Sequence, residues 1–354
     1  MRLKRNQISR YLTLLLFAVF TTIAHSQTYS IEKVVLPKHL YSNCIHKVFT
    51  DHYGNLLIAG EKGVFKWNGF AFTEISGFEN FEDYSAFNIW EDKSGIIWMN
   101  TFGEKIINYY DGDIFQTGIS KALSTTKVNS STQDINGNYW FGDHFGNIFL
   151  INSENKIKIN KEPGKEKIHR IHRIEPLKNG NVIAALTFGS FYLLNKKGVI
   201  IKKLDWKHDY NWGPANVFCL KNGKVILSNQ HGIHLYSSNL ILGKSILFDN
   251  TFKGYISDIQ ENKDGILWIG SKFGLYSLDQ NNFSINAIKP VLNNQYINSI
   301  SIGAENNIWV ATNSNGLIKI IETYKTPLIN TINQKALNAL PHDTVKRYRI
   351  SVAL

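Results

Sequence analysis

The chain of 354 residues is 43% hydrophobic, 13% aromatic and 19% charged, a balance that excludes a disordered or low-complexity protein. Its formal charge of +11 is concentrated toward the ends, with Arg2, Lys4, Arg5 and Arg10 at the start and Lys346, Arg347 and Arg349 near the finish. The body is only mildly basic, which argues against nucleic acid as a partner.

In chain order the first predicted element is an export leader, residues 1–26. Its basic start is followed by the uncharged stretch 12–24 (LTLLLFAVFTTIA), with small Ala24 and Ser26 two apart, the pattern that signal peptidase reads. That stretch is shorter than the ~20 residues needed to span a bilayer. No cysteine follows it to carry a lipid, and no later run is apolar enough to cross a membrane. The expected location is periplasmic or otherwise extracytoplasmic, with no membrane span in the mature chain.

Residues 28–325 are then predicted to form one all-β domain, because a repeat runs through them. Gly54, Gly95, Gly137, Gly180, Gly223, Gly265 and Asn306 each follow an apolar or aromatic run and precede another, at intervals of 41 to 43 residues. Asn is the residue that best replaces Gly at positive φ, so Asn306 fits the series. Three positions after each anchor stands a large residue (Leu57, Trp98, Trp140, Ile183, Ile226, Trp268, Trp309). Five positions after stands a smaller one (Ala59, Asn100, Gly142, Ala185, Ser228, Gly270, Ala311). Glycine-marked hairpins at this period predict a seven-bladed β-propeller of four-stranded antiparallel blades. Large side chains would fill the gaps between blades, and small ones would let the backbones approach. Residues 28–35 are expected to supply the outer strand of the last blade, which removes an exposed sheet edge. Cys44 and Cys219 fall in repeats on opposite sides of the ring, so two buried, unpaired thiols are expected. The tail, 326–354, lacks the repeat and is expected to pack poorly; its Leu340-Pro341 echoes Leu36-Pro37, as if another propeller were starting.

The units 91–103 (EDKSGIIWMNTFG) and 261–275 (ENKDGILWIGSKFGL) resemble the two-component-regulator propeller repeat. The stretch 40–45, running into Asp51-His52-Tyr53-Gly54, is similar to that family's usual first repeat. The family forms the periplasmic sensor region of Bacteroidetes hybrid two-component systems and sensor histidine kinases. The resemblance implies an extracytoplasmic ligand-binding sensor, often for oligosaccharides, that signals to downstream kinase domains or a partner chain. It contains no β-sandwich, membrane helix or kinase region, so the chain reads as a truncated sensor or a separate binding protein, and not as an enzyme.

Ligand candidates are placed on the face that carries the loops between second and third strands and the links between blades. The loops offer Lys62, His144, His231 and Lys272. The links offer Tyr84 and the run Trp206, His208, Tyr210 and Trp212. Aromatic planes beside imidazole and ammonium groups suit a small glycan-like ligand. The residues seven before each anchor, among them Lys47, Arg173 and Asp258, are polar and are expected to line a hydrated axial channel. The phenylalanines before the second glycine (Phe102, Phe145, Phe188, Phe273) recur, which is read as packing. His169-Arg170-Ile171-His172-Arg173 is read as a basic strand edge and not a metal site, since alternation separates the imidazoles. No cofactor, metal or catalytic motif is assigned. Two alternatives stand beside the sensor: a polysaccharide or lactone lyase using His144, His231 or Asp258, and a protein-interaction platform with an exposed apolar patch.

Overall fold

The computed structural model describes residues 28–36, 44–68, 71–77, 85–152, 157–160, 170–205, 216–229, 231–248, 255–284, 288–303 and 305–323. The predicted leader, 1–26, and the tail, 326–354, lie outside them. Ile31–Ile321 form one compact unit, the propeller body. Met1–Ser30 with Glu322–Leu354 form a second, of which only Thr28–Ser30 and Glu322–Thr323 are described.

The body is the predicted seven-bladed propeller of four-stranded antiparallel sheets. The first strands are Ile45–Thr50, Ala86–Glu91, Val128–Gln133, Ile171–Pro176, Asn216–Cys219, Ile256–Glu261 and Ile297–Ile302. They neighbour one another in a closed cycle, with Ile297–Ile302 packing against Ile45–Thr50. The last sheet is completed by Thr28–Lys33 beside Leu317–Thr323, and Val34 N–H donates to Leu317 O at 2.9 Å. Among the described residues the α-helix is a single short turn, Gly118–Ala122, whose Thr117 side chain caps Ser120 N–H.

Local chemistry explains the blades. All seven anchors have positive φ, from 65° at Asn306 to 86° at Gly54 and Gly137, as their tight turns demand. In the second blade the turn closes with Gly95 N–H on Asp92 O at 3.0 Å and Asp92 N–H on Ile96 O at 2.9 Å. Second strands such as Leu56–Gly60, Ile97–Thr101 and Val182–Leu186 are buried along their whole length. They lie between two neighbouring blades, so both of their faces are apolar. Each large residue three after an anchor is buried. Trp98 packs with Val128 and Phe141 of the next blade, and Trp140 with Ile171 and Ile174 of the one after. The small residue two further on permits this approach: a Cβ on Gly142 would lie 2.3 Å from Ile171 Cγ2. Cys44 and Cys219 form no disulfide; each is part-buried, not fully buried as expected.

Candidate functional site

The inner strands do not alternate simply. Six of them shift register near their start, between Ile45 and Lys47, Ala86 and Asn88, Val128 and Ser130, Ile171 and Arg173, Ile256 and Asp258, and Ile297 and Ser299. Each shift is a β-bulge that inserts one residue: His46, Phe87, Asn129, His172, Ser257 or Asn298. A bulge re-aims a side chain, and here the inserted residue lines the axial channel together with the residue after it in five of the six. Six of the seven polar residues standing seven before each anchor, all but Ser299, therefore face the channel, of about 330 Å³, joined by a second set that alternation would have hidden.

Deeper in, the channel is strapped by charge. Asp258 receives Lys47 Nζ at 3.7 Å and Arg173 Nη1 at 3.4 Å, and Arg173 Nε donates to Glu175 Oε1 at 2.6 Å. Ile300 N–H and Ser299 Oγ–H also donate to Asp258, at 3.0 and 3.2 Å. Burial opposes ionisation of Asp258, but Lys47, Arg173 and these hydrogen bonds outweigh it and hold its pKa below the carboxylate norm. A carboxylate so committed is a brace between blades one, four and six. It is not a free acid or base.

The candidate site opens where the channel meets the face. A cavity of about 610 Å³ lies across blades two, three and four, sharing Phe87, Asn129 and His172 with the channel wall. Its loops are pinned to the starts of the inner strands by backbone bonds: Phe102 N–H to Ser85 O (3.0 Å), His144 N–H to Lys127 O (2.9 Å) and Thr187 N–H to Arg170 O (2.9 Å). On that frame His144 Nδ1 accepts from Arg170 Nε at 2.9 Å and from Nη2 at 2.6 Å. Lys127 Nζ pairs with Glu104 Oε1 at 2.6 Å. Phe102 and Phe145 are each 51% exposed. Phe102 also meets the His46 and Phe87 rings, at 4.9 and 5.2 Å between centroids.

Both imidazoles in this cavity have their pKa lowered. Burial, then Arg170 and Lys127, lower the pKa of His144. Burial, then Arg170 and His144, push His172 down to about 4. His172 Nε2 is buried with no hydrogen-bond partner among the described residues. The arrangement offers aromatic faces, a fixed guanidinium and imidazoles in one water-accessible hollow, a chemistry that suits a polar, ring-shaped ligand.

Of the sequence candidates, His144 lines this cavity. Lys62, His231 and Lys272 are exposed on the equivalent loops of blades one, five and six, and none of them lines it. Tyr84 and the run Trp206, His208, Tyr210 and Trp212 lie outside the described residues. Two readings need correction. The recurring phenylalanines are not buried packing: Phe102, Phe145 and Phe273 (43% exposed) sit at loop tips, while the Phe188 side chain is outside the description. The basic strand is not a solvated edge, because Arg170 and His172 enter the cavity and Arg173 enters the channel. Sequence reasoning also missed Lys127 and Glu104, whose types carry no signal until three blades are brought together. Among the described residues no group of three His, Cys, Asp or Glu side chains could hold a metal ion. No helix among them is long and apolar enough to cross a membrane.

No family model matches the chain, and a search of curated proteins finds no significant match. Solved structures do resemble it. The extracellular domain of a hybrid two component system of B. thetaiotaomicron matches 84% of this chain and 42% of its own length, with a TM-score of 0.66 at 16% identity. A second such domain from that organism gives a TM-score of 0.65 over 82% of this chain and 40% of its own length, at 14% identity. A streptogramin B lyase matches 85% of this chain over its whole length, with a TM-score of 0.66 at 13% identity. A virginiamycin B lyase from Staphylococcus aureus does so over 84% of this chain and the whole of its own, with a TM-score of 0.66 at 14% identity. This chain thus spans about two-fifths of the sensor domains and all of the lyases. The fold implied by the repeats is the one these structures share with the chain: what it has in common with sensor domain and lyase alike is the seven-bladed propeller.

Proposed function

We propose that this chain is the ligand-binding propeller of an extracytoplasmic two-component sensor, and that it takes a glycan in the cavity across blades two to four. The observation carrying this reading is the pairing of half-exposed Phe102 and Phe145 with the fixed polar groups His144, Arg170 and Lys127. Sugar rings stack their apolar faces on aromatic planes and give their hydroxyls to such groups. The leader-like residues 1–26 and the fold of the sensor domains support the location and the role. Kinase domains, downstream or on a partner chain, would receive the signal.

Isothermal titration against a panel of oligosaccharides tests it. Phe102→Ala with Phe145→Ala is expected to weaken binding about tenfold or more, from the lost stacking. Lys62→Ala is expected to change nothing. Trp206→Ala with Trp212→Ala forms a separate arm: loss of binding there and not in the phenylalanine pair would move the site to the blade-four to blade-five link. Absence of binding by every glycan would sink the proposal.

A second reading is a lyase, favoured by one observation. His172 enters the cavity with its pKa pushed down to about 4, so that it is neutral at pH 7, the form a general base requires. Incubating any bound ligand with the protein and analysing it for an eliminated product separates the two. An intact ligand leaves the sensor.

A further inference from the structure

The charge of the ligand follows from the way two arginines are treated, given that the face cavity is the ligand site. Arg173 in the channel is matched by carboxylates on both sides, Glu175 at 2.6 Å and Asp258 at 3.4 Å. Arg170, three residues earlier, is matched by none among the described residues. Its guanidinium is instead oriented by a neutral acceptor, His144 Nδ1, at 2.9 Å from Nε and 2.6 Å from Nη2. A guanidinium carries five N–H donors in a rigid fork, so that contact fixes its plane and leaves its Nη1 edge to serve another group. Burial and the nearby Arg170 and Lys127 keep His144 uncharged, so the imidazole positions the cation without cancelling or repelling it. The other cation of the lining, Lys127, is already answered by Glu104 at 2.6 Å. Among the described residues, one aligned positive charge with no carboxylate partner therefore stands in the wall of a cavity that also presents Phe102 and Phe145.

We propose that the ligand is an acidic sugar, whose carboxylate or sulfate ester lies on the Arg170 guanidinium while its ring lies toward the phenylalanine faces. An anionic oxygen pair suits the fork of an arginine better than any neutral hydroxyl does, because both hydrogen bonds are charge-assisted. The inference rests on the glycan reading and narrows it.

Titration with matched pairs tests it: an oligogalacturonate against its methyl ester, and a sulfated oligosaccharide against its desulfated form, with sodium acetate and sodium sulfate alone as further probes. The acidic member of at least one pair is expected to bind about tenfold to a hundredfold more tightly than its neutral counterpart, and the pair that responds identifies the anion. Its affinity is expected to fall as salt rises. Arg170→Gln is expected to remove the difference within that pair, and Arg170→Lys to keep part of it, with melting curves verifying that each variant is folded. The acid-against-ester comparison needs no variant at all. Neutral members binding as tightly as acidic ones would overturn this inference and leave the glycan reading standing. Free acetate or sulfate binding as tightly as the acidic sugars would overturn it in favour of a simple anion site. No binding in any pair would overturn both.

Discussion

Trp98 and Trp140 are each anchored by an aspartate six residues earlier. Trp98 Nε1–H donates to Asp92 Oδ2 at 2.7 Å, and Trp140 Nε1–H to Asp134 Oδ2 at 2.9 Å. The second oxygen of each caps the turn, receiving Ser94 and Ile96 N–H in one case and Asn136 and Asn138 N–H in the other. One carboxylate thus ties an indole to its hairpin. Asp134→Ala is expected to cost about 2–4 kcal/mol in urea unfolding, since it strands a buried indole N–H and two turn donors. Asp134→Asn is expected to cost less, because Asn262 fills the same place in the sixth blade and still caps Asp264 and Ile266 N–H. His172 sets a pH dependence. Its pKa is about 4 in the folded chain against about 6.5 when unfolded, so the unfolded chain takes up the proton first. Its share of stability is complete above about pH 6.5, declines as pH falls, and is fully lost below about pH 4, amounting to roughly 3 kcal/mol. Urea unfolding at neutral pH and near pH 4.5 checks this, and His172→Gln is expected to remove that part of the slope.

At the scale of the strand, the bulge and the small residue set how closely blades meet. In each bulged strand the residues before and after the shift are buried three apart, as with Ile45 and Val48 or Ile171 and Ile174. The pair of residues between them turns to the axis. Ile171 and Ile174 then press on Gly142, where an added Cβ would stand 2.3 Å from Ile171 Cγ2 and 2.9 Å from Ile174 Cδ1. Gly142→Ala is expected to destabilise by about 1–3 kcal/mol through overpacking. Ile171→Val in the same chain is not expected to relieve it, since valine retains both the Cβ and a Cγ2 branch. Ile171→Ala is expected to recover part of the loss, and a double-mutant cycle by thermal unfolding reads the coupling.

Across the whole ring, the Lys47–Asp258–Arg173–Glu175 network joins blades that are distant in sequence. Removing its central anion leaves two cations facing each other in a narrow channel. Asp258→Ala is expected to cost about 3–5 kcal/mol, measured by urea unfolding. Lys47→Met placed in that variant is expected to restore part of it, because one of the stranded charges is gone. The face cavity lies outside this strap. Arg170→Gln is therefore expected to leave the unfolding midpoint nearly unchanged while altering ligand binding, a separation of structural from recognition arginine that one residue pair can test.

The blade was legible in the amino-acid order because its determinants are local and repeated. A residue tolerant of positive φ at each anchor, a large side chain three later and a small one five later act within one hairpin and its nearest neighbour, so seven copies reinforce one pattern. His144 was legible for the same reason, as an unusual residue at a known loop position. The rest of the cavity was not. Arg170, Lys127 and Glu104 sit where blades differ, so repetition says nothing about them, and the bulges broke the two-residue alternation on which the basic strand was judged. Phe102 and Phe145 misled because recurrence was equated with burial, whereas the ring just before the loop glycine recurs on four blades and, at Phe102, Phe145 and Phe273, still faces solvent. Only closure of the ring decided which of these side chains meet, since an inner strand finds its partners across the axis through the number of blades and their tilt, neither of which any single repeat encodes.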